Sequence, residues 1–207
     1  MRPTTNSADT SIAVAPRTGG GAHLQDASDA ELVAAAQRGD QLAFGALVQR
    51  HRARVHRVLV RITGNEEAAS DALQDALLRA WTNIGKFRGE SGFFTWLTRI
   101  AINEGHRARQ RADSRPIAHL DDALGERIPG WGDRPDEIFQ QREFLAALEA
   151  ALRRLPIDHR AAVVLRDVEG LSTKEAAEVL GLEEAALKSR LHRGRMALRR
   201  ELDVYFG

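Results

Sequence analysis

Lys188, Arg190, Arg193, Arg195, Arg199 and Arg200 fall within residues 187–200, a stretch with no acid and a local charge of +6. Cations at that density suit phosphates: they neutralise a nucleic-acid backbone and release its counterions. Ser189, Arg190 and His192 add donors and acceptors that can reach base edges. A solvated basic face on an ordinary helix has the same composition, so the setting decides. Just upstream, Ser172-Thr173-Lys174-Glu175 reads as a capping box. Ala176 and Ala177 are small where two helices must approach, and Gly181 permits a sharp turn. A capped helix, a glycine turn and a second, basic helix make a helix-turn-helix.

Two further constellations stand in the first half. Lys86, Phe87, Arg88 and Ser91 lie on a glycine-flanked loop, followed by Phe93, Phe94, Trp96, Arg99 and Asn103. Aromatic faces stack unpaired bases, arginines hold phosphates, and an amide reads base edges, so this mixture suits single-stranded DNA. Phe94 and Leu97 also keep helical spacing, which suits a core. Residues 66–81 carry the opposite sign: Glu66, Glu67, Asp71 and Asp75 among Leu73, Leu77, Leu78 and Trp81. An acidic, apolar helix repels DNA and suits either solvent or a protein partner. A third cluster, Arg50, Arg52, Arg54, Arg57 and Arg61, spreads over more than one helix face. It reads better as solvated or paired than as a nucleic-acid site.

Enzymatic patterns fail. The seven histidines are scattered without H-E-x-x-H spacing. No phosphate-binding glycine loop and no G-x-S-x-G occurs. With no cysteine, a thiolate nucleophile and a Cys-ligated metal are excluded.

The elements that must position these residues are helical. Ser28-Asp29-Ala30-Glu31 is a capping box opening a helix that Gly39-Asp40 breaks. Apolar residues at helical spacing predict a second helix over 41–63, ended by Gly64. Asn65 caps a third. Residues 84–91 form a loop, and a fourth helix covers about 92–111. Pro116, Gly125, Pro129, Gly130, Gly132 and Pro135 punctuate residues 112–137, predicting a linker. Residues 113–149 carry nine acids against four arginines. A second helical block starts near Asp136. Pro156 stops its first helix, Asp158 caps a short one ending at Gly170, and the helix-turn-helix follows. The expected fold is all-α: a tail over 1–26 without enough apolar surface to order, a helical domain over 27–111, a linker over 112–137, and a helical domain over 138–204.

The 207 residues, 43% hydrophobic and 29% charged, bury a core; at 5% aromatic it is aliphatic. No apolar run approaches the roughly 20 residues of a transmembrane helix. The expectation is a soluble, cytoplasmic chain with no membrane insertion. The net charge of +1 conceals large opposite terms, because distribution rather than sum governs polyanion binding.

Residues 71–81 (DALQDALLRAW) resemble the D-x-x-Q-[DE]-x-[FL]-x-[RK]-x-[WY] helix of the extracytoplasmic-function (group 4) sigma factors of the sigma-70 family. Residues 87–103 resemble that family's F-R-G-[DE]-S…F-x-T-W-L-x-R-I-A-x-N stretch. Leu155-Pro156, Gly170-Leu171-Ser172, Glu175-Ala176-Ala177, Leu180-Gly181 and residues 188–193 (KSRLHR) resemble its region 4. The chain departs from the usual G-[IV]-P-x-G-T-V-K-S-R turn, with Glu183 and Glu184 at the start of the last helix. The resemblance implies a non-enzymatic subunit without cofactor or metal. Asp71, Gln74, Asp75, Leu78 and Trp81 would dock core RNA polymerase at the β′ clamp, with a further contact to the β flap. Lys86, Phe87, Arg88, Ser91, Trp96, Arg99 and Asn103 would melt and read the promoter −10 element. Ser172, Thr173, Lys188, Ser189, Arg190, His192, Arg193 and Arg195 would read the −35 element. An anti-sigma factor is the expected regulator. The residues alone leave open a plain helix-turn-helix regulator, dimeric on a palindromic duplex.

Overall fold

The computed structural model describes Leu24, residues 26–113 and residues 135–203. The predicted tail, except for Leu24 and Asp26, and residues 114–134 of the predicted linker lie outside the described residues. Among the described residues all regular structure is helical.

Helix α1 (Asp29–Gln37) starts at the predicted capping box: the Ser28 Oγ accepts from the Glu31 N–H at 3.3 Å, and the Ser28 N–H donates to Glu31 Oε2 at 2.8 Å. Asp40 Oδ1 caps α2 (Gln41–Thr63), accepting from the N–H groups of Leu42 and Ala43. Gly64 closes α2 at φ 73°, a left-handed conformation that a side chain would strain. Asn65 caps α3 (Glu66–Asn83) through the Ala68 N–H at 2.9 Å. A 3₁₀ turn (Ile84–Lys86) leads into the loop before α4 (Phe93–Asp113).

The second block opens with α5 (Pro135–Arg154), whose first residue is a proline that has no N–H to leave unsatisfied. These edges enter the predicted linker by two residues at one end and three at the other. Helix α6 (Ile157–Val163) begins directly after Pro156 with no side-chain cap. Asp158, predicted as that cap, sits instead inside the first turn, because the Pro156 carbonyl already accepts from His159 and Arg160. The predicted single helix to Gly170 also breaks: Val164–Val168 is a π turn, in which the Glu169 N–H reaches back five residues to the Val164 carbonyl at 2.9 Å. Ser172 and Glu175 form the second capping box, opening α7 (Thr173–Leu180). Gly181, at φ 64°, turns the chain into α8 (Glu184–Glu201).

In the first block α2 packs on α1, α3 and α4, and α3 packs on α4. Ala43, Ala69, Ala76, Ala80 and Ala101 are fully buried there, small enough for close helix approach around Leu47, Val55, Leu59 and Leu97. In the second block α8 packs on α6 and α7 over Val163, Leu165, Val179 and Leu187. The blocks also touch each other. Helix α2 contacts α5, α6 and the π turn, α4 contacts α7, and the buried apolar residues form one cluster across both.

Candidate nucleic-acid and partner interfaces

Helix α8 is held by Leu187, Leu191, Gly194 and Leu198, all buried. Their i, i+4, i+7, i+11 spacing makes one stripe. Gly194 is where α8 comes closest to α6: a Cβ there would stand 2.7 Å from Val163 Cγ2 and 3.1 Å from the His159 carbonyl oxygen. The opposite side of the helix exposes Ser189, His192, Arg193, Arg199 and Arg200.

The other basic residues at the helix flanks reach acids. Arg195 grips Asp167 with two bonds, 2.9 and 2.5 Å. That hydrogen bonding raises the Arg195 pKa above its ordinary value. Arg190, half-buried, stands 3.4 Å from Asp158, and Lys188 stands 4.0 Å from Glu184. The predicted −35 set therefore divides. Ser189, His192 and Arg193 share the outward face with the neighbouring arginines. Arg190 and Arg195 tie α8 to α6 and the π turn. Ser172 spends its hydroxyl on the cap of α7, and Thr173 is half-buried beside it.

In the first block, the Gln37 side chain fixes the loop after α3, donating from Nε2 to the carbonyls of Ile84 (3.2 Å) and Phe87 (2.8 Å). Lys86 and Arg88 are exposed on that loop, Arg88 lying 3.9 Å from Glu90, while Ser91 is half-buried. Phe87, Phe93 and Trp96 form an aromatic cluster with ring centroids 5.2 to 6.2 Å apart. Phe93 and Phe94 belong to the core, at 2% and 6% exposure, so of these four aromatics Phe87 and Trp96 keep partial access to solvent. Trp96, Arg99 and Asn103 follow at i, i+3, i+7 on one face, with Arg99 and Asn103 exposed. The next residue, Glu104, is buried: its carboxylate is 4% exposed and takes Arg79 of α3 and Arg107 of α4, each at 2.6 Å.

On α3, Asp71, Gln74, Asp75 and Leu78 are exposed on one face, with Trp81 half-buried at its end. Trp81 lies against Phe44 at 5.1 Å between ring centroids, and Leu78 is 65% exposed. Together with Val48, Leu73 and Leu77 they line a mainly apolar groove of about 810 Å³ between α2 and α3, edged by Arg52 and His56. An apolar groove, with the acids Asp71 and Asp75 exposed on the same helix outside its lining, fits a protein helix better than a phosphate chain.

The cluster over residues 50–61 is largely engaged with acids. Arg50 and His51 hold Asp29 at 2.6 Å each. Burial raises the Asp29 carboxyl, but the bonds from Arg50 and His51 outweigh it, and its pKa falls below the usual carboxylate range. Arg54 and Arg61 reach the second block; Arg52 and Arg57 are exposed. Gln37, Glu104 and Asp167 were not legible from sequence: each acts on a partner in another helix or loop, and the one local mark is Arg107, three residues after Glu104.

Among the described residues no cluster of His, Asp or Glu could hold a metal ion, and no helix is long and apolar enough to cross a membrane. Fold and surfaces together define a DNA-binding protein with a helix-turn-helix in one block and, in the other, a basic–aromatic face beside an apolar groove.

Comparison with known proteins narrows that class. Residues 47–115 match sigma-70 region 2, and residues 145–198 match sigma-70 region 4. The ECF RNA polymerase sigma factor SigM of Mycobacterium tuberculosis is 39% identical over 192 residues, 92% of each chain. The RNA polymerase sigma-H factor of Pseudomonas aeruginosa is 34% identical over 185 residues, 86% of this chain and 96% of that one. Among solved structures, CnrH in complex with the cytosolic domain of CnrY superposes with a TM-score of 0.60 at 29% identity, covering 85% of this chain and 97% of that one. RpoE of Bartonella quintana, with the anti-sigma factor NepR, gives 0.64 at 24% identity over 78% and 97%, a likeness of fold. The chain belongs to the extracytoplasmic-function sigma factors of the sigma-70 family. It is a promoter-recognition subunit for RNA polymerase and not an enzyme.

Proposed function

We propose a division of labour among three surfaces, carried by one observation: a basic outward helix, a basic–aromatic face and an apolar groove beside exposed acids coexist on one chain. The groove face with Asp71, Gln74, Asp75, Leu78 and Trp81 docks the β′ clamp of core polymerase. The loop with Lys86, Phe87, Arg88 and Ser91, and the α4 face with Trp96, Arg99 and Asn103, hold the melted −10 element. Phe87 and Trp96 supply the stacking surface, and the buried Phe93 supports them from below. Helix α8 enters the major groove at the −35 element with Ser189, His192 and Arg193 foremost, while Lys188, Arg190 and Arg195 flank it. The functional units are residues 27–111 and 138–204, joined by 112–137. The second unit meets the β flap, an anti-sigma factor covers the groove, and the protein works in the cytoplasm.

Asp75→Arg should abolish co-elution with core polymerase in gel filtration while leaving the helical circular-dichroism signal unchanged. Transcription from mapped promoters with core polymerase tests the rest. Loss of transcription with Trp96→Ala at unchanged core binding supports the −10 assignment; full transcription by that variant overturns it.

A further inference from the structure

Helix α1 carries none of the residues assigned to DNA or to polymerase, yet both of its ends reach the basic–aromatic face. At its last residue, the exposed Gln37 donates from Nε2 to two carbonyls of the segment after α3, Ile84 at 3.2 Å and Phe87 at 2.8 Å. A side-chain amide nitrogen carries two N–H donors, so these bonds use both and fix which way the amide lies. The Phe87 N–H donates in turn to the Ile84 carbonyl at 3.1 Å, so Gln37 clips the two sides of one closed turn. Beyond that turn residues 87–92 have no regular structure, and Gly89 sits at φ 72°. Among the described residues no other side chain bonds to the backbone of residues 84–92. At the start of α1, Asp29 holds Arg50 and His51 of α2. The His51 ring lies 5.5 Å from Phe93, and Phe93 packs against both Phe87 and Trp96. Between these ends Leu32, Val33 and Ala36 seat the helix in the core.

Phe87 and Trp96, with ring centroids 5.2 Å apart, form one stacking surface only while the loop stays in place. Trp96 is set by its helix, whereas Phe87 stands on a segment with few bonds of its own. A loop that samples other arrangements when free must be ordered on binding, and affinity falls accordingly. We propose that Gln37 is a positioning residue for −10 recognition: its two bonds hold residues 87–91 where Phe87 completes the surface begun by Trp96, and it acts through that loop and not on DNA. Helix α1 is thereby the splint of the reader, and Asp29, through His51 and Phe93, braces the same surface from the other side. The inference rests on the assignment of this loop and the Trp96 face to the −10 element.

Gln37→Met keeps the length and neutrality of the side chain and removes its donors. Gln37→Glu keeps its shape and turns a carboxylate toward both carbonyls. In the free full-length chain, amide hydrogen exchange over residues 87–91 should quicken about tenfold in either variant, with α3 and α8 unchanged. Holoenzyme assembled from core polymerase and each variant should bind a dye-labelled non-template strand spanning a mapped −10 element about tenfold more weakly than wild type. Co-elution with core should stay at the wild-type level. In a Phe87→Ala background Gln37→Met should cost much less, because the loop it positions has lost its stacking ring. Unchanged exchange in both variants would overturn the clip. Quickened exchange with full strand binding would overturn the positioning role. So would an equal loss in the Phe87→Ala background, since Gln37 would then act on DNA or polymerase directly. The assignment beneath is read separately. If Phe87→Ala and Trp96→Ala bound the strand as wild type does, the loop would not be the reader and the positioning role would fall with it. If those two lost binding and the Gln37 variants did not, the assignment would stand and the role of Gln37 alone would fall.

Discussion

Asp29 carries more of the first block than its position at a helix start suggests. It ties α1 to α2 through Arg50 and His51, and its pKa lies below the usual range. A carboxyl depressed in the fold contributes fully above its unfolded value of about 3.9 and loses that contribution as pH falls through the folded value. Asp29→Asn should therefore cost about 1 kcal/mol at neutral pH, because the pair is partly exposed, and the difference should shrink in melts run below about pH 4. Gly194→Ala tests packing: its Cβ would collide with Val163 Cγ2 at 2.7 Å, and urea titration should show a loss of about 1–3 kcal/mol. Glu104→Ala, which strips a buried partner from Arg79 and Arg107, should cost about 2 kcal/mol in the same assay. The basic residues were legible because charge is visible in composition. Their acids were not: Arg54 and Glu169 are 115 positions apart, and no spacing rule links them.

Helix ends were the most legible elements, because caps are local chemistry. Ser28, Asp40, Asn65 and Ser172 all accept backbone N–H bonds where the sequence placed helix starts. Ser172→Ala should destabilise the second block by about 1 kcal/mol. It should also weaken binding to a −35 duplex, since α7 orients α8. Fluorescence anisotropy beside a thermal melt separates the two effects. The π turn was not legible, since a reach of five residues instead of four is decided by what α6 packs against. Asp158 misled for a related reason: a good capping residue two positions after a proline lies inside the turn that the Pro156 carbonyl has already closed.

Across the whole molecule, the net charge of +1 is a segregation of charge, with cations on α8 and acids on α3. Promoter affinity should then fall linearly in log–log form with salt, and Arg193→Ala should reduce the slope by about one unit if that arginine meets a phosphate. Filter binding over a salt series reads this directly. The two-block plan was legible from the break in apolar periodicity; the docking of the blocks was not, because it rests on pairs of residues far apart in the chain. The π turn gives that docking an unusual dependence. It accommodates one more residue than an α-helical turn would, and each α-helical residue advances the chain by about 100°. Deleting a single residue from Val164–Val168 would let the turn close as an α-helical one and keep Glu169 near both Arg54 and Arg61, whereas deleting one from α6 would rotate Glu169 away from them. The relation between the two blocks is thus set by a count of residues as well as by their kinds, and among the described residues the π turn is the one place where a residue can be lost with little change to it.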